Sequence, residues 1–129
     1  MDKTEKILRE VSSCVVSTID DNNFPVNVTL TKILERTGYA TLFFYFDKHS
    51  NSVKNMKRTP RGSVSCFMEY SDRIETLNLK GTFTIEGDWK LHEIRESVED
   101  AKKKLKYKEA VIVVFETMHY EIEVINKLI

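Results

Sequence analysis

Runs of β-branched, apolar and aromatic residues, each cut short by a tight polar turn, recur along most of this chain. Cys14 to Ile19 is the first run. Asp20-Asp-Asn-Asn23 follows, a cluster able to visit left-handed dihedrals. Pro25 opens a second run, in which Val26, Val28 and Leu30 alternate with Asn27, Thr29 and Thr31. Glu35-Arg-Thr-Gly38 is the next turn, and Tyr39 to Phe46 the third run. Arg61-Gly62 leads into Ser63 to Tyr70, where Val64, Cys66 and Met68 alternate with Ser65, Phe67 and Glu69. Ser71-Asp72-Arg73 is a further turn before Ile74 to Ile85, which Gly81 interrupts as a bulge or bend would. Val111 to Phe115 and Met118 to Ile125 are read as two last strands. Connections this short join antiparallel neighbours. An antiparallel sheet of six or seven strands usually closes to remove its edges, so a small β-barrel with helices packed on it is expected.

Three segments carry a helical period instead. Asp2 to Ser12 places Ile7, Leu8 and Val11 on one face, and Asp2 with Glu5 fits a capping box. A short basic segment carrying Lys54, Lys57 and Arg58 follows the polar run Asp47–Ser52 and stops before Pro60, whose predecessor disfavours helical dihedrals. Gly87-Asp88 is read as the cap of a helix reaching Lys106, with Leu91, Ile94, Val98, Ala101 and Leu105 as its apolar stripe. Lys102-Lys-Lys104 is read as a solvated face of that helix, balanced by Glu96, Glu99 and Asp100.

Composition narrows the function. The 129 residues suffice for one domain with one core. Twenty basic and twenty acidic side chains cancel, which argues against a dedicated nucleic-acid binder. Cys14 and Cys66 match neither a metal spacing nor a redox pair and are expected to be buried free thiols in a reducing cytoplasm. The charged start, Met1-Asp-Lys-Thr-Glu-Lys6, has no secretory character, and no apolar run has transmembrane length.

Catalytic signatures are missing. His49, His92 and His119 are scattered, with no metal-ligand spacing. Four glycines form neither a P-loop nor a dinucleotide fingerprint, and no nucleophile elbow occurs. Trp89 is read as a core or interface residue. Two features remain. One is the polar edge Asn27, Thr29, Thr31 on a strand whose other edge is apolar. The other is the passage from the aromatic run Tyr39–Phe46, read as a strand buried on both faces, into Asp47-Lys-His-Ser-Asn-Ser52. There a helix start, hydroxyl donors and lysines converge as in an anion site. The same passage also reads as a plain strand-to-helix connection with a solvated basic helix.

In its order of motifs the chain resembles the pyridoxamine 5′-phosphate oxidase-like split-barrel flavoproteins, as a short member of the general-stress-protein type. Val15 to Pro25 resembles that family's opening strand, acidic turn and proline. Leu42 to Phe46, then Ser52-Val-Lys54 and Arg58-Thr-Pro60, resembles its strand followed by a Ser-x-Lys and Asn-Pro block. Ser63 to Phe67 resembles the next strand, and Leu79-Lys-Gly-Thr-Phe83 the glycine-containing one. The resemblance spans roughly Val11 to Leu91. It implies a mainly β fold, a six-stranded antiparallel split β-barrel with short helices packed on it, as a single domain over residues 1–129. It also implies a homodimer with FMN at the interface. Carried over position by position, Ser52 and Lys54 hold the phosphate with Lys48, Ser50 or Asn51. Asn27, Val28 and Thr29 lie along the isoalloxazine ring, and Phe46 and Asp47 border the ring or the ribityl chain.

The chain also departs from that pattern. The strand after Pro25 has no arginine, Lys48 stands where a threonine is usual, and Thr59-Pro60 replaces Asn-Pro. The C-terminal substrate-binding block of the vitamin-forming oxidases is missing, so pyridoxamine phosphate oxidation itself is not expected. The implied function is an FMN-dependent oxidoreductase or reductase of a small molecule, with no metal and no catalytic side chain assigned. A non-catalytic flavin-binding or stress-response module, and a split barrel that binds haem or another cofactor, are the alternatives.

Overall fold

The computed structural model describes residues 2–86 and 94–128. Among them the element order is α1 (Lys3–Glu10), β1 (Cys14–Ile19), β2 (Pro25–Thr31), β3 (Glu35–Thr37), β4 (Thr41–Asp47), α2 (Asn51–Arg58), β5 (Arg61–Glu69), β6 (Arg73–Glu86), α3 (Arg95–Lys104) and β7 (Ala110–Asn126). The strands form one sheet in the order β2-β1-β5-β6-β7-β4-β3, and each neighbouring pair is antiparallel. Its two edge strands, β2 and β3, are joined by residues 32–34 alone. A flat seven-stranded sheet would hold its edges about 29 Å apart at the usual strand spacing. Four residue steps reach only about 14 Å. The sheet therefore rolls up until its edges approach, which makes it a barrel left split between β2 and β3.

Hairpin chemistry places the strands. Asn23 takes the left-handed conformation, with φ 66°, and the Asp20 carboxylate accepts from the N–H groups of Asn22 and Phe24, each at 2.9 Å. Gly38 does the same for the β3–β4 turn, with φ 57°. That glycine moves a boundary. The turn falls on residues 38–40, so Tyr39 and Ala40 lie outside the aromatic strand. Glu35 to Thr37, read as a turn, is instead a short seventh strand. Arg36 anchors it, donating to Gly38 O at 3.0 Å and to both Glu5 carboxylate oxygens at 2.7 and 3.0 Å.

Leu42, Phe44 and Phe46 of β4 are buried inside the barrel with Val16, Val64, Leu77, Leu79 and Phe115. Helix α1 adds Ile7 and Leu8 to this core, and α2 adds Val53 and Met56. Tyr45 and Phe43 point the other way, into a second cluster with Ile94, Val98, Ile112 and Val114 under α3. β4 is thus buried on both faces, as its composition requires, although it sits beside an edge strand and β6 occupies the middle of the sheet.

Two further expectations are corrected. Residues 110–126 form one strand, not two. Pairing shifts register between Lys80 and Gly81, so Met118 is the extra residue of a bulge and the strand continues through it. Helix α3 begins at Arg95 and ends at Lys104, which leaves Leu105 beyond it and 42% exposed. The cap Gly87-Asp88, Trp89, Leu91 and His92 lie outside the described residues.

Candidate functional site

The ends of β2 and β4, the start of α2 and one side of α3 enclose a cleft of about 550 Å³. That volume is within the range of small-molecule sites. Each wall has a local cause. On β2 the pairing with β1 slips between Cys14 and Val16, so Val28 faces Val16 while Thr31 faces Cys14. The Cys14 thiol donates to Thr31 O at 3.2 Å across this bulge. Val16 and Cys14 both point inward, so Val28 and Thr31 share the inner face and both line the cleft. The expected common edge of Asn27, Thr29 and Thr31 is broken here, because one extra residue inverts the alternation.

The β4 end contributes Tyr45, Phe46 and Asp47. The Asp47 carboxylate accepts from the His49 N–H at 3.0 Å and shapes the turn into α2. Ser50 caps that helix, its hydroxyl accepting from the Val53 N–H at 3.3 Å. This leaves the first-turn N–H groups of Asn51 and Ser52 without intrahelical partners. Buried Asn55 fixes the helix, donating to the Thr18 hydroxyl at 3.1 Å and accepting from Arg58 at 2.8 Å. From the opposite side α3 contributes Ser97, Asp100, Ala101 and Lys104. Ser97 donates to Glu35 at 2.7 Å, tying α3 to β3. Lys32, Ile33 and Leu34 of the edge-to-edge link, with Leu105 and Tyr107, complete the wall. Tyr107 stacks on Tyr45 with ring centroids 5.7 Å apart. Burial first, then the Asp47 charge and Tyr45, push the Tyr107 phenol above its usual range.

Of the residues singled out from sequence, Val28, Phe46, Asp47, Ser50 and Ser52 meet in this cleft. Asn27, Lys48, Asn51 and Lys54 do not line it, and the Thr29 side chain is outside what the structure describes. The Asn27 carboxamide accepts from the Ser17 hydroxyl on the outer face of the hairpin. Lys48 is held by Glu109 at 3.2 Å. Asn51 and Lys54 are exposed on α2. The cations on the cleft wall are Lys32 and Lys104, set against Asp47 and Asp100. Sequence reasoning missed Thr31's inward turn, Tyr45 and the whole α3 wall. Tyr45 alone had a local signal, as the residue alternating with Phe44 and Phe46.

Among the described residues no group of three His, Cys, Asp or Glu side chains is placed to hold a metal ion, and no helix is long and apolar enough to cross a membrane. No protein-family model and no curated protein matches the sequence. Solved structures do. A FAD-binding protein from Mesorhizobium loti superposes with a TM-score of 0.76 at 14% identity, over 95% of this chain and 90% of that one. A Clostridium acetobutylicum protein related to general stress protein 26 of B. subtilis, of the pyridoxinephosphate oxidase family, gives 0.73 at 14% identity, over 95% and 89%. A haem-binding protein from Mycobacterium smegmatis gives 0.74 at 14% identity, over 95% and 56%. With its rolled antiparallel sheet and three short helices packed on it, the chain has the split-barrel fold of the pyridoxamine 5′-phosphate oxidase-like proteins.

Proposed function

We propose that this protein binds FMN in the cleft between β4, α2 and α3 and serves as a flavin-dependent oxidoreductase of a small molecule, as a cytoplasmic homodimer. The supporting observation is the composition of that cleft. Val28, Ile33, Leu34 and Phe46 offer an apolar bed, and the hydroxyls of Ser50 and Ser52 stand at the start of a helix on the same wall. A planar ring with a phosphorylated tail needs that division of labour. Free N–H groups and the positive helix end suit the phosphate, with Ser52 as a hydroxyl donor and Lys32 and Lys104 as nearby cations. Lys54 and Asn51 would act from the outer side of the same helix turn, and Asn27 and Lys48 from the rim. The flavin would supply the redox chemistry, while the chain binds, orients and shields it. Solved relatives of the fold that bind FAD or belong to an oxidase family favour this reading. The fold also hosts haem, but hydroxyls at a helix start beside an apolar bed are an arrangement that suits a flavin's phosphate and ring.

Titration of the purified protein with FMN, followed by quenching of flavin fluorescence, tests the reading. Saturable binding is expected, weakened roughly tenfold by Ser52→Ala through loss of one hydrogen bond to a charged group. A protein that leaves FMN fluorescence unchanged refutes it. Anaerobic reduction by NADH or NADPH and reoxidation by added acceptors test the enzymatic part. A bound flavin that does not cycle reduces the function to flavin binding.

A further inference from the structure

A second cleft, of about 680 Å³, adjoins the first. The two share Tyr45, Leu105 and Tyr107 as a common wall. Their charges differ. Two lysines face two aspartates in the first cleft. In the second, among the described residues, Lys48, Lys102, Lys106 and Lys108 face Glu86 and Glu109. Glu109 is already engaged by Lys48 at 3.2 Å and by His49 at 3.3 Å. Lys102 pairs with Glu99 at 3.5 Å along the exposed face of α3, a contact worth only a few tenths of a kcal/mol in water. Lys106 and Lys108 carry no ion pair among the described residues.

These cations arrive from three segments: the turn before α2, helix α3, and the connection from α3 to β7. A merely solvated helix face presents its charges from one element and needs no cavity beneath them. Here the charges ring a concavity whose floor is Val98, Val111 and Ile112 and whose side is the Tyr45–Tyr107 stack. In a protein of zero formal net charge, the lysine excess at this one cavity is local, so it attracts an anion without general basicity. Phosphate oxygens match convergent ammonium groups, and a tyrosine pair suits the organic body attached to them.

We infer that this second cleft binds a phosphorylated small molecule, its phosphate among Lys102, Lys106 and Lys108 and its organic part against Tyr45 and Tyr107. The site is separate from the proposed flavin cleft and does not depend on it. Calorimetric titration with inorganic pyrophosphate and with AMP tests it. Saturable binding of both is expected, falling steeply between about 0.05 and about 0.3 M salt. The double reversal Lys106→Glu/Lys108→Glu should lower the affinity more than about tenfold. The control reversal Lys80→Glu/Lys103→Glu, equal in charge but outside the cleft, should change it by about twofold or less. Melting curves establish that both variants are folded. FMN titration of the same proteins separates the two sites: loss of pyrophosphate with FMN binding intact supports a distinct site. The inference is overturned by the absence of saturable binding. Equal losses in both double variants, or parallel loss of pyrophosphate and FMN, overturn it as well.

Discussion

Glu75 is a carboxylate on the inward face of β6, with a side chain only 3% exposed. Burial by itself would raise its pKa, but hydrogen bonds and charge from Lys3, at 3.2 Å, and Arg73, at 3.4 Å, outweigh burial and hold it below the ordinary 4.5. Because Lys3 belongs to α1, this one group latches the helix to the barrel. A carboxylate depressed on folding contributes stability above its unfolded pKa and loses it as pH falls through the folded value. Glu75→Gln should therefore cost about 2 kcal/mol at neutral pH, and the difference from the parent should vanish well below pH 4.5. Urea unfolding at the two pH values measures both numbers. Cys14 and Cys66 give a second expectation. Burial raises their thiols to about 12 and about 11. Since the thiolate is the reactive form, Ellman's reagent at pH 8 should titrate neither in the folded protein and both after denaturation.

At the scale of elements, the long β6–β7 ribbon depends on one residue without a side chain. A Cβ on Gly81 would lie 2.0 Å from Glu116 O and 2.9 Å from Phe115 Cζ. The nearer clash is with backbone, so no rotamer relieves it. Gly81→Ala should destabilise by about 2–4 kcal/mol and lower the melting temperature by roughly 10 °C, as calorimetry would show. This bulge was legible in sequence, because a glycine inside a long strand pattern has few other uses. Pro60 and Asn23 were legible for the same reason: each residue type answers a local backbone demand, whereas Ser50 was only one of several polar residues able to cap α2. The β1–β2 bulge was not. It falls among Val28, Thr29, Leu30 and Thr31, none of which marks it, and its effect is to turn Thr31 into the cleft. The ion pair of Lys48 was hidden for a different reason. Its partner Glu109 is 61 residues away, and only the folded barrel brings the turn before α2 beside the start of β7. The α3 wall is likewise a product of packing, since Ile94 and Val98 announce a buried face without saying that Ser97 and Lys104 will border a site.

At the scale of the molecule, the rolled sheet still leaves one edge uncovered. β4 pairs with β7 from Ala110 to Glu116 only. The Thr117 N–H donates to Ala40 O at 2.8 Å, and beyond it the same side of β7 has no paired strand among the described residues. Tyr120 and Val124 lie opposite Leu79 and Glu75 and so belong to the inward face, yet Tyr120 is 53% exposed and neighbouring Met118 is 63% exposed. A long apolar edge of this kind invites pairing with another chain, and a second copy of the same chain satisfies it by symmetry. On the proposed homodimer, light scattering after gel filtration should give twice the chain mass. Met118→Lys/Tyr120→Lys places charge on the edge at two well-exposed positions and should yield a folded monomer. A double variant that stays dimeric would place the interface elsewhere. If the partner chain completes the flavin cleft, the monomer should also bind FMN at least roughly tenfold more weakly, since groups from the second subunit are then lost together. Unchanged FMN affinity in that monomer would mean that a single chain builds the whole site.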